Sequence, residues 1–176
     1  VKFLTVGKKG REQLRREYSS HLVGHVDLSE VKNVGYTNAQ DVASDILTRF
    51  DADEFDIATI YFGKFESVIS QVPTATQIIP ASFEQTEGDG DATEIDYEPG
   101  EEEILRQLLP RGVATQIYAA FLENGASEQG ARMSAMDNAT RNAGDMIDKL
   151  TIQFNRTRQA VITNELIEII SGAEAL

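Results

Sequence analysis

The chain has 176 residues, 41 % of them apolar and 26 % charged, with no cysteine and no tryptophan. That composition supports one ordinary domain, or a small domain plus an extended element, in a reducing setting, and it excludes disulfides, thiol catalysis and cysteine-ligated metal. The net charge of −13 argues against general nucleic-acid binding, yet ten acidic and no basic residues fall between Glu84 and Glu103, leaving only −3 for the rest of the chain.

Val1 to Val6 form a short apolar run with no charged leader and no cleavage site, which reads as a strand and not as a signal peptide. No apolar run approaches the roughly 18–20 residues of a membrane span, so the chain is expected to be soluble. Gly7-Lys8-Lys9-Gly10 stands between a strand and a helix, where phosphate loops sit. It lacks the terminal Lys-Ser/Thr of a P-loop and the three-glycine dinucleotide fingerprint, and reads as a basic turn. Arg11 to Tyr18 reads as a short polar helix. His21 and His25 are four apart, which would suit a metal on a helix. Val23, Gly24 and Val26 argue against a helix there, and no carboxylate completes a ligand set.

A second helix is expected with Thr37 or Asn38 as its N-cap, Val42, Ile46, Leu47 and Phe50 as its buried face, and its end near Asp51–Asp53. Phe55 to Phe62 is rich in strand formers. Phe65 to Ile79 follows as a second such run, broken by Pro73, and the pair suggests a hairpin through Gly63-Lys64. The first 80 residues thus read as a small α/β layer structure, incomplete because it offers fewer strands than the about five or six of a doubly wound sheet. The acidic segment that follows reads as a solvated surface loop, with an acidic docking site as the sharper alternative.

The character changes after Pro99. Glu101 to Leu109 suits a short helix, with a kink or restart at Pro110. Arg111 to Ser171 then contains no proline. One continuous helix of that length would run about 90 Å at roughly 1.5 Å per residue, and a helical hairpin turning at Asn124-Gly125 is the competing reading. Met136, Ala139, Ala143, Met146, Leu150, Phe154, Thr157 and Val161 recur by threes and fours as a coiled-coil-like seam. Ala131, Ala135, Ala139, Ala143 and Gly144 would let a partner helix approach closely, and no other segment of the chain is long enough to be that helix. Self-association through the Met136–Phe154 stripe is therefore expected. Near the end Val161, Ile162, Leu166, Ile167, Ile169 and Ile170 surround the helix, the pattern of a tip seated in a socket of another protein, or of one folded back on the core. The acids after Glu98 have no apolar pocket to separate their pKa values, and no nucleophile elbow is present. The chain carries no recognisable catalytic, cofactor or metal site.

Ile162-Thr163-Asn164-Glu165-Leu166-Ile167-Glu168-Ile169-Ile170-Ser171-Gly172-Ala173 resembles the signature of the F-type ATP synthase γ subunit family at every fixed position. Ala126-Ser127-Glu128-Gln129-Gly130-Ala131-Arg132-Met133-Ser134-Ala135-Met136, Gln71-Val72-Pro73-Thr74-Ala75-Thr76-Gln77 and Gly7 to Arg11 are similar to other family segments. The resemblance implies an α/β fold: a partial Rossmann-like three-layer domain over 1–98 with an acidic loop at 84–98, and a very long C-terminal helix over 99–176 forming half of an antiparallel coiled coil. It also implies a fragment without the family's N-terminal helix and first strand–helix unit, and the lack of cysteine favours a bacterial member.

The function so implied is that of a central-stalk rotor with no catalytic site or cofactor of its own. Its partners would be the α, β and ε subunits, the c ring and the missing N-terminal helix, on the cytoplasmic face of a bacterial inner membrane. On matching positions, a catch for the β subunits would comprise Arg132, Gln159, Thr163 and Glu165, with Arg158 beside them. Val161, Ile162, Leu166, Ile167, Ile169 and Ile170 would form the apolar bearing tip. A coiled-coil adaptor with an α/β head accounts for the seam but not for the signature tail.

Overall fold

The structure, a computed structural model, describes residues 1–31, 33–81 and 100–174. The acidic loop expected at 84–98 lies outside them. Contacts divide the chain into two units, Val1–Ser127 and Glu128–Leu176.

In the first unit, strand β1 (Phe3–Val6) leads into helix α1 (Lys8–Glu17) and returns as the parallel strand β2 (Leu22–Val26). Gly7 makes the turn with a φ of +89°, which only glycine adopts without strain, and its N–H bonds Val26 C=O at 2.8 Å. Lys8 to Gly10 are thus the first turn of α1, not a free basic turn ahead of it. Gly24 in β2 is required by close approach: a Cβ there would meet Leu4 Cδ1 at 2.6 Å. Helix α2 (Tyr36–Asp51) starts one or two residues before the expected cap. Gly35 is the N-cap, and Asn38 reaches back to accept its N–H through Oδ1 at 3.0 Å. The helix stops where expected, with Asp53 in the left-handed region at φ 55°.

Strands β3 (Ala58–Ser67) and β4 (Ser70–Ile79) pair antiparallel in a second two-stranded sheet. The hairpin turns at Val68-Ile69, so the expected turn at Gly63-Lys64 is wrong, and Pro73 does not break β4. Gly63 and Pro73 are register partners. The polar groups of Gly63 point away from β4, to bond the side chains of Asn124 and Ser127. In such a non-hydrogen-bonded pair the N–H that proline lacks would also point outward, so the ladder loses nothing.

Helix α3 (Glu101–Glu174) is continuous through Pro110 and through Asn124-Gly125, which removes both the expected restart and the competing helical hairpin. Its early turns belong to the first unit. Val113, Ala114 and Ile117 join Ala39, Val42 and Ala43 of α2 and Ile78 and Ile79 of β4 in one buried core. Ile46 and Leu47 pack against that core, while Phe50 is partly exposed and tilts against Phe55. The α/β character expected of the first 80 residues is present, as a small sheet-and-helix domain completed by the start of α3.

Candidate partner-binding surface

Three polar side chains of α3 tie it to the outer edge of β3. Asn124 Oδ1 accepts the Gly63 N–H at 3.3 Å, Ser127 Oγ donates to Gly63 C=O at 2.8 Å, and a Glu123 carboxylate oxygen accepts the Phe65 N–H at 2.8 Å. Gly63 and Phe65 are alternate residues, so their groups point to one side of the strand. No local pattern announces this docking. Asn124-Gly125 resembles a turn, and Gly63 resembles a hairpin residue, until the two are placed side by side.

Within the second unit every residue from Ala135 to Ala173 is exposed. At 100° per residue the seam from Met136 to Val161 falls within an arc about 80° wide. Met136, Met146, Leu150 and Phe154 on it are 58–64 % exposed. The opposite face carries Asp137, Arg141, Asp145, Asp148, Lys149 and Arg156, with Arg141 paired to Asp137 at 2.8 Å. One face is charged and exposed, and the other offers large apolar groups that nothing in this unit covers. Ile152 falls among the charges, and nothing in the structure explains it.

Further along, Val161, Ile162, Leu166, Ile167, Ile169 and Ile170 are half exposed or more. They occupy about 240° of the circumference, and Asn164, Glu168 and Ser171 form the remaining polar strip. Thr163 and Glu165 fall within that arc, so the apolar residues spread over two-thirds of the girth without filling it, against a seam one-third as wide.

The four polar residues expected to act together are not one cluster. Gln159 and Thr163 lie one turn apart on a shared face, and Glu165 lies on another side. Arg132 stands about 40 Å away along the axis, where its guanidinium bonds Glu128 and Gln129 one turn back. Gln159, Thr163, Glu165 and Arg158 are all exposed. The two histidines also sit apart. His21 lies edge-on to Phe3 and Tyr18, and His25 Nδ1 lies 3.2 Å from Thr5 Oγ1. Among the described residues no group of three or more His, Cys, Asp or Glu could hold a metal, and no helix is long and apolar enough to cross a membrane.

Comparison with known proteins places these features in context. The family model described as ATP synthase matches residues 1–176. The ATP synthase gamma chain of Dinoroseobacter shibae is 77 % identical over 176 residues, which cover 100 % of this chain and 60 % of that one. Among solved structures, the mitochondrial ATP synthase central stalk and c-ring of Tetrahymena thermophila matches with a TM-score of 0.63 and 25 % identity, over 78 % of this chain and 60 % of that one. A chain of the Euglena gracilis mitochondrial ATP synthase, solved as OSCP, F1 and c-ring, shares the fold at a TM-score of 0.66 and 20 % identity, over 99 % of this chain and 61 % of that one. This chain therefore spans about three-fifths of the length of the curated relatives it matches.

Proposed function

The chain belongs to the ATP synthase family, and from that premise we propose that it is part of a gamma chain working as the central-stalk rotor, with no catalytic site of its own. Proton-driven turning of the c ring would turn the gamma chain with it. The asymmetric surface of α3 would then present different faces in turn to the catalytic β subunits. Rotation does work on those subunits only because each orientation makes different contacts, which is coupling through differential affinity between conformations. The observation that carries this reading is α3 itself. Its narrow apolar seam suits one partner helix, and its broad apolar end suits a sleeve that surrounds it.

In this reading residues 1–98, with the acidic loop 84–98, are the Rossmann-like domain, and 99–176 the shaft. The seam receives a helix from the part of the gamma chain that this sequence does not include. Arg132, Gln159, Thr163 and Glu165 act as polar contacts to the β subunits, arranged along the shaft as separate points. The six apolar residues from Val161 to Ile170 are the bearing, since an apolar sleeve offers no register-specific hydrogen bonds to hold a rotor at one angle. The ε subunit and the c ring would engage elsewhere, with the assembly peripheral on the cytoplasmic face of a bacterial inner membrane.

A retention assay tests the proposal. Immobilised chain, supplied with a peptide that pairs with its seam, should hold purified α and β subunits. Thr163→Ala combined with Glu165→Ala should lower that retention severalfold while leaving the helix content unchanged. Failure to retain α and β with the peptide present would reject the rotor reading for this chain.

A further inference from the structure

Helix α1 concentrates five basic residues, Lys8, Lys9, Arg11, Arg15 and Arg16, in a chain whose net charge is −13. Four arginines on the other helices face an acid one turn earlier, Arg49 with Asp45, Arg106 with Glu102, Arg132 with Glu128 and Arg141 with Asp137, while Arg111, Arg156 and Arg158 have none there. Arg11 and Arg15 lack one as well. Four residues before Arg15 stands Arg11, with Glu12 three before Arg15, and four residues before Arg11 stands Gly7. Among the described residues neither guanidinium has a carboxylate within 4.0 Å. Like charges one turn apart repel, so the pair is held without its counter-charge.

Both arginines line one open cleft of about 380 Å³, together with Ser19, Thr5 and His25. Thr5 is 6 % exposed, and its hydroxyl lies 3.2 Å from His25 Nδ1. That contact fixes the imidazole as a wall of the cleft and leaves Nε2 as its remaining polar atom. Two arginines, a serine and a histidine are thus among the residues that line the cleft, and no acidic residue is. Planar guanidinium groups match the oxygens of a tetrahedral anion in paired, charge-assisted hydrogen bonds.

We propose that this cleft binds a phosphate-class anion. It is not the phosphate loop that Gly7 to Gly10 failed to make, because the lining residues are Arg11 and Arg15 of α1 with others from the Ser19–His21 turn and from β1 and β2. An inorganic phosphate, a soluble phosphate ester and a phospholipid headgroup share this chemistry.

The test is a titration of the full chain with inorganic phosphate, followed by amide chemical shifts. Saturable shifts are expected at Thr5, Ser19 and His25. Arg11→Gln and Arg15→Gln should each weaken binding about tenfold or more, as loss of a charge-assisted contact implies. Arg16→Gln, outside the cleft, should stay within about twofold of the parent. Helix α1 contains no buried residue, so these substitutions leave the core untouched, and the same spectra report the fold. Absence of saturation, or equal weakening by Arg16→Gln and Arg15→Gln, overturns the site. Phosphatidylglycerol vesicles provide the second arm. Sedimentation with them that inorganic phosphate reverses and Arg15→Gln abolishes supports the site with a lipid phosphate as its source. Phosphate binding without vesicle binding supports it with a soluble source. Capture of a polyglutamate peptide without any phosphate binding overturns it in favour of a protein-docking patch.

Discussion

At Gly24 the parallel strands leave no space for a methyl group. An added Cβ would sit 2.6 Å from Leu4 Cδ1 and 3.4 Å from an Arg49 guanidinium nitrogen. Leu4 can rotate away, but only by disturbing its packing against the core. Gly24→Ala should therefore cost about 1–3 kcal/mol, the range for overpacking, read as a lower urea midpoint at unchanged slope. Glu54 makes a different prediction. The hydrogen bond from Lys2, first, and then the charges of Lys2 and Arg49 hold its carboxyl below the ordinary value of 4.5. A lowered native pKa means that the contribution is complete above the ordinary value and is lost as pH falls through the native one. Urea midpoints of the parent and Glu54→Gln should differ above that window and converge below it. In about 1 M salt the difference should shrink, because the Lys2–Glu54 pair is open to solvent.

The docking of α3 on β3 is a property of elements. The start of α3 is anchored by apolar burial at Val113, Ala114, Ile117 and Ala120 and by three side chains on the free edge of β3. Ser127 is 6 % exposed. Removing its hydroxyl leaves the Gly63 carbonyl without that donor, so Ser127→Ala should cost about 1–3 kcal/mol. Amide exchange should accelerate at Gly63 and Phe65 while the β3–β4 ladder stays protected. This contact also shows where sequence reading runs out. The helices α2 and α3 and the seam were legible because periodicity is local, recurring every three or four residues. The hairpin turn was not, because Gly63 is there for a helix some sixty residues away and looks identical to a turn glycine when read along the chain. Pro110 and Asn124-Gly125 misled for the same reason. They weaken a helix locally, and burial of Val113, Ala114 and Ile117 just after Pro110, and of Ala120 and Ser127 on either side of Asn124-Gly125, outweighs that weakness. The four residues expected to form a catch all lie on α3, and their helical phases and heights set Glu165 and Arg132 apart from Gln159 and Thr163.

For the chain as a whole, the unanswered apolar seam sets the behaviour in solution. Met136, Met146, Leu150 and Phe154 stand exposed along one narrow arc, and an antiparallel pair of chains would bury eight such side chains. At about 1.5 kcal/mol each, that gives roughly 12 kcal/mol of gross burial. The cost of association is of the same order, about 4–15 kcal/mol, so the balance falls where dimers form only at substantial concentration. Sedimentation velocity should show a monomer at low concentration and a reversible larger species at tens of micromolar, about the level such a balance implies. Leu150→Glu with Phe154→Glu should keep the chain monomeric throughout, because each charge would have to be desolvated in the seam. A peptide that pairs with the seam should do the same by competition, and the charged variant should fail to bind it. Strictly monomeric behaviour of the parent at tens of micromolar would show that the seam, though apolar, is too interrupted by Ala139, Ala143 and Thr157 to recognise a copy of itself. The partner helix would then have to supply the large side chains that those small positions lack.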